Sequence, residues 1–286
     1  MHFLLENDRS QRYDFENLIL KSVLDKNKLL HTYEDINIDN FYDISYVDTD
    51  YGTKKVKTLK EANRFPKEYK NAIPVGSINF VTAWLNIFYG IEKENPIEIP
   101  PILRTDEFLK RKYSIVTSDK IPREGNYFIK DVSMLKEFSY AGNVELLNID
   151  ELFKQKTNEI DNSLKLDPNH LFQVSEKVDI LSEYRVYVIG GEIEAISNYN
   201  GSALILPDTA LINKANLLYS TQKNYPKSYS MDVMVTDRGT SIIEIHNYTS
   251  LGHYNTLFGS NLAYAYRDGI DYLIGHNTPI SEFSNF

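Results

Sequence analysis

Apolar positions recur along this chain with two different periods, and the change of period divides it. HFLLE is a short apolar run, and Phe15, Leu18, Ile19, Val23 and Leu24 then recur at helical spacing up to Lys26. That order predicts a strand, a helix and an α/β start. From Asn37 to Lys60 the chain is polar and rich in Tyr and Asp, the pattern of strands with long connections. AIPVGS then leads into the apolar helix SINFVTAWLNIFYG, with Ser77 placed to cap it. Pro96, Pro100 and Pro101 in ENPIEIPPI cannot continue a helix, so the chain is expected to divide near residue 102. The expected units are 1–102 and 103–286.

Beyond the prolines the period shortens to two. YFIKDV, VELLNI and LFQVSEKV read as strands. RVYVIGGEIEAISNY reads as a hairpin turning at Gly190-Gly191, and SMDVMVTDRGTSIIEIHNY as one turning at Asp237-Arg238-Gly239. Helices are expected at TDEFLKRK, IDELFKQKTNEI, DTALINKANLLYS and SNLAYAYRDGIDYL. The result is an α+β body rather than an alternating parallel one. No internal repeat and no low-complexity tract is visible.

Composition narrows the function. At 286 residues and 42% hydrophobic content the chain can bury a substantial core. A net charge of -9 disfavours a broad basic surface for duplex DNA, so nucleic acid is not the expected partner. The absence of cysteine removes thiol nucleophiles, thiolate zinc sites and disulfides, and fits a reducing compartment, with the cytoplasm as the expectation. MHFLLEN lacks the pattern of a signal peptide, and INFVTAWLNIFYGI is too short and too polar to span a bilayer.

The candidate chemistry lies on the strand-like runs. Residues two apart share a face, so Glu183 and Arg185 point together while Tyr184 and Val186 point the other way. The same parity puts Glu244 and His246 on one face, with Ile243 and Ile245 turned to the core. Asp232 sits on the preceding strand of that hairpin. Carboxylates that converge raise one another's pKa unless a cation intervenes, and a pair of them offers the hard oxygen donors Mg²⁺ prefers. The alternatives are a solvated ion-pair edge for Glu183 and Arg185, and opposite faces for Asp232 and Glu244. Lys130 ends the apolar run FI, where an anionic ligand would compensate its charge. No phosphate-binding G-x-x-x-x-G-K-[ST] loop and no G-x-G-x-x-G after a strand is present.

In this order the residues resemble the ATP-grasp superfamily, and more narrowly its small phage and bacterial clade distinguished by an arginine and two lysines. The resemblance implies two α+β subdomains holding ATP between them, preceded by a small α/β domain. It implies phosphate-binding roles for Lys130 in FIKD and Lys136 in LKEF. It also implies an adenine-binding hinge from Val174 to Asp179 that includes Glu176, Lys177 and Val178, and a ribose-binding acid at Glu183. Arg185 matches the arginine that approaches the transferring phosphate, and Asp232 and Glu244 match the metal acids. The family's last metal ligand is an asparagine two residues after the glutamate; here His246 takes that place with Asn247 beside it. Either the imidazole ligates, or a one-residue bulge brings Asn247 in. The implied reaction activates a carboxylate with ATP and Mg²⁺ as an acyl-phosphate, which an amine or similar nucleophile then opens. The acceptor would be an amino acid, peptide or protein tail. Gly76 and Ser77, before an apolar helix, and His253 and Tyr254 are candidate substrate contacts. A nucleic-acid-modifying enzyme on the same scaffold and a non-catalytic nucleotide-binding protein are the competing readings.

Overall fold

The computed structural model describes residues 1–6, 14–34, 42–49, 52–59, 65–91, 99–132, 138–145, 147–157, 166–254, 256, 258–259 and 261–277. Strand β1 (His2–Glu6), helix α1 (Asp14–Lys26) and strand β2 (Leu30–Glu34) form the expected α/β start. β5 (Ile73–Val75) completes a parallel sheet in the order β2-β1-β5, after β3 (Tyr42–Thr49) and β4 (Gly52–Leu59). Phe3, Leu4 and Leu5 are consecutive and all fully buried. A parallel strand covered on both faces requires such a run. β3 and β4 pair with each other, Tyr42 opposite Leu59 through Thr49 opposite Gly52; the connections expected around them lie outside the described residues.

Helix α2 (Ile78–Tyr89) begins at Ser77, whose Oγ accepts from the Phe80 N–H at 3.2 Å. It ends at Gly90 in the left-handed region, φ 67°, where a side chain would be strained. Helix α3 (Asp106–Leu109) is shorter than TDEFLKRK suggests, because Lys110 turns left-handed and the chain enters β6 (Tyr113–Thr117). β7 (Asn126–Asp131), β8 (Ser139–Asn143) and β9 (Leu171–Glu176) join β6 in an antiparallel sheet ordered β6-β9-β7-β8. The expected strand VELLNI is not one. Asn143 Oδ1 accepts from the Glu145 N–H, and the Leu147 N–H returns to the Val144 carbonyl, closing a turn. Helix α4 (Ile149–Thr157) follows.

The second antiparallel sheet, ordered β11-β10-β12-β13, is built from β10 (Ser182–Ile189), β11 (Glu192–Gly201), β12 (Tyr229–Thr236) and β13 (Gly239–Asn247). Helix α5 (Thr209–Ser220) is capped by Asp208. It packs under this sheet on Tyr184, Val186, Val188, Met231, Val233 and Ile245. The opposite face is shared between two environments. At one end it carries charge, and at the other Tyr187 and Ile189 enter a core with Phe3, Leu4, Trp84 and the last helix, α6 (Asn261–Asn277). That core draws on residues from both sides of position 102. Among the described residues no helix is long and apolar enough to cross a membrane.

Candidate active site

The period of two in EYRVYV places Arg185 on the charged face of β10, directly opposite Asp232 on β12. Asp232 is in turn the register partner of Glu244 on β13. The hairpin reaches this register through a bulge: Asp232 pairs with Glu244, but Val233 pairs with Ile242. The extra residue is Ile243, which lines a cavity, while Ile242 and Ile245 are fully buried in the core. The expected inward position of Ile243 is thus corrected by a parity shift that no alternation pattern reveals.

Two cation–carboxylate pairs occupy the centre. Arg185 donates to both oxygens of Asp232, from Nε at 2.7 Å and Nη2 at 2.8 Å. Lys130, on β7 of the other sheet, donates to Glu244 Oε2 at 2.6 Å and so joins the two sheets. His246 Nε2 lies against Glu244 Oε1. One donor atom each from Asp232, Glu244 and His246 lies within 4.8 Å of the others, a set able to hold a divalent cation after small side-chain movements. Burial is the largest influence on Arg185 and disfavours its charge, but the bidentate bond to Asp232 more than offsets it, so the guanidinium pKa is raised.

A cavity of about 490 Å³ opens between the two sheets beside these pairs. Lys130, Ser175, Glu176, Lys177, Val178 and Glu183 line it, which gathers the proposed phosphate, hinge and ribose residues around one space. Within the hinge, the Lys177 N–H is committed to the Asn126 carbonyl at 3.1 Å. Glu176 accepts two bonds from Arg238, at 2.9 and 2.7 Å, which hold its carboxyl below the usual range. Arg111, not anticipated from the sequence, also lines the cavity. Its Nη1 donates to the carbonyls of Leu109 and Ile242, and it has no carboxylate partner among the described residues. It is 8% exposed, and burial lowers its pKa to about 10. A lone cation just after a short helix carries no sequence signal of its own; only the fold turns it inward.

Tyr254 lies at the edge of the charged centre. The Arg185 guanidinium sits 4.8 Å from its ring centroid, and Tyr199 stacks on it at 4.8 Å and 20°. Its backbone is left-handed, φ 44°, and its carbonyl accepts from Ser197 Oγ at 2.7 Å.

Several expected contacts are redirected. Asn247 is buried away from the site, donating to the Gly269 carbonyl and accepting the Tyr248 N–H, so the bulge does not bring it in. His253 is fully buried against Tyr266 Oη rather than bordering the cavity. The Ser77 N–H already has an anion: it donates to Glu6 Oε2 at 2.5 Å, and Ser77 Oγ donates to Glu6 Oε1 at 3.1 Å. Gly76 is required by this approach, since a Cβ there would lie 2.5 Å from the Glu6 side chain. Gly76 and Ser77 therefore form an internal joint, not an open anion site. Lys136 lies outside the described residues.

The arrangement also has relatives. The ATP-grasp domain of the clade named for one arginine and two lysines, in its family 2, matches residues 108–262, just over half of the chain. Among solved structures, the chain is similar to the D-cycloserine synthetase DcsG, with 8% identity over 96% of this chain and 99% of that one and a TM-score of 0.53. It is also similar to D-alanine–D-alanine ligase from Bacillus anthracis complexed with ATP, with 13% identity, 98% and 100% coverage and a TM-score of 0.49. A RimK domain ATP-grasp protein from Sphaerobacter thermophilus aligns with 9% identity over 96% and 98%, at 0.46. No curated protein matches the sequence significantly. With the two-sheet cleft and its charged end in place, the family match leads to one conclusion: the chain belongs to family 2 of the ATP-grasp clade named for its arginine and two lysines.

Proposed function

We propose that this ATP-grasp ligase transfers the γ-phosphate of ATP to a substrate carboxylate and joins the resulting acyl group to an amine or similar nucleophile on an amino acid, peptide or protein. The observation that carries the reading is the pairing of Lys130 with Glu244 on the wall of the cavity between the sheets, beside the Arg185–Asp232 pair that is next to Glu244 in register. Phosphoryl transfer of this kind needs positioning and charge neutralisation rather than a protein nucleophile. The hinge backbone and Glu183 hold the nucleoside, with Arg111 and Lys130 directed at its phosphates. A divalent cation, Mg²⁺ in the family's pattern, fits the Asp232, Glu244 and His246 donors and neutralises phosphate charge when bound.

Nucleotide binding changes the partners of the two cations. Lys130 leaves Glu244, and Arg185 shares its fork between Asp232 and the transferring group, so the cations that balance these carboxylates become those that stabilise the phosphates. The substrate carboxylate oxygen then attacks phosphorus and ADP departs. The amine attacks the acyl carbon, phosphate leaves, and the amine proton is lost to solvent.

Two measurements test this. Calorimetric titration with a non-hydrolysable ATP analogue and Mg²⁺ should give micromolar binding, roughly -8 kcal/mol, that collapses in Lys130→Ala. Turnover with ¹⁸O-carboxylate acceptors drawn from amino acid and peptide pools should place the label in released phosphate, with ADP as co-product. Release of AMP and pyrophosphate, or unlabelled phosphate during turnover, contradicts the acyl-phosphate route.

A further inference from the structure

We propose that the metal of this site is a first-row transition dication bound partly through the His246 imidazole, with Mn²⁺ preferred over Mg²⁺. The inference rests on the ATP-grasp reading of the cleft and adds the identity of one ligand and the class of metal it selects. Three observations carry it. His246 shares a face with Glu244, and its Nε2 lies against Glu244 Oε1, within the same set of donors as Asp232. Asn247, the alternative oxygen donor, has both ends of its carboxamide engaged by Gly269 and Tyr248. Ser230, the register partner of His246 on β12 and on the same face as Asp232, is fully buried, and its Oγ has no partner among the described residues. A water held on a cation bound at this face would satisfy that hydroxyl.

The donor set is then two carboxylates and one nitrogen. Mg²⁺ favours oxygen donors throughout and keeps several waters, whereas imidazole suits the transition ions. Replacing an oxygen donor by imidazole therefore raises affinity for Mn²⁺ and its successors relative to Mg²⁺. Mn²⁺ still accepts the carboxylates and the phosphate oxygens, so it satisfies the whole cleft.

The test uses the intact chain and Mn²⁺ alone, then with a non-hydrolysable ATP analogue, read by electron paramagnetic resonance. Bound Mn²⁺ should show nitrogen coupling from an imidazole, and Mg²⁺ should displace it only at clear excess. In His246→Asn the coupling should vanish, and the Mn²⁺-over-Mg²⁺ preference should fall on the order of tenfold. Bound Mn²⁺ without nitrogen coupling in the wild-type protein, or an unchanged preference in His246→Asn, overturns the proposal. Nitrogen coupling in a protein that binds no nucleotide with either metal supports the metal assignment and removes the ligase reading instead.

Discussion

Asp232→Asn keeps the shape of the side chain and removes the charge that faces Arg185. Asp232 is 2% exposed and Arg185 8% exposed, and the fork between them is made at 2.7 and 2.8 Å. Removing one partner of such a pair costs about 3–5 kcal/mol, because the other charge stays buried. The asparagine oxygen can still accept one N–H, and the Gly252 carbonyl and the Tyr254 ring remain near the guanidinium, so the low end applies, about 3 kcal/mol. For a chain of this size that corresponds to a fall in melting temperature on the order of 5–10 °C. The assay is thermal unfolding followed by circular dichroism, run beside the double variant Arg185→Met/Asp232→Leu. The double variant removes both charges and should recover most of the loss, while abolishing activity. A single variant that melts within about 1 °C of wild type, or a double variant no more stable than the single, refutes the argument that the pair is a desolvated unit.

Arg111→Met removes a buried charge but also the donor to the Leu109 and Ile242 carbonyls, so stability should fall by about 1–3 kcal/mol, and the ATP analogue should bind about tenfold or more weakly in calorimetry. Unaltered affinity would exclude Arg111 from the nucleotide site. Gly269→Ala would place a Cβ 2.0 Å from the Tyr248 carbonyl, so α6 must shift from β13. A loss of about 2 kcal/mol in chemical denaturation is expected, and a neutral result contradicts the packing. Burial, then Arg185, lowers the His253 pKa to about 4. Folding thus favours the neutral ring, and the associated stability is complete above the unfolded value near 6.5 and is lost as pH falls toward 4. This amounts to about 3 kcal/mol, and His253→Gln should flatten that part of the stability–pH curve; parallel curves for the two proteins would count against it.

The alternation in EYRVYV and SIIEIHNY is legible because one face has to be apolar, and it places Arg185, Glu244 and His246 toward the cleft. The bulge at Ile243 is not, since a single extra residue leaves the composition of the strand unchanged while reversing the parity upstream of it. SYAGN gives no strand signal and becomes β8 only because β7 offers it a ladder from Lys130–Ser139 to Asn126–Asn143. PVGS does read as a helix start, but the acid that satisfies it, Glu6, is seventy-one positions away and meets it only across the parallel sheet. Arg111 and Tyr254 are legible as residue types and not as partners, because their neighbours come from β13, β10 and β11.

The core shared by Phe3, Leu4, Trp84, Tyr248 and α6 has a consequence for biosynthesis. The first strand and helix leave the ribosome long before Leu262, Tyr266 and Leu273, which complete their packing. Until α6 arrives, the parallel sheet exposes the apolar face that this helix covers, so its closure is among the last events rather than the first. A nascent chain arrested before residue 261 is therefore expected to bind chaperones through its N-terminal portion, and release should coincide with emergence of the final helix.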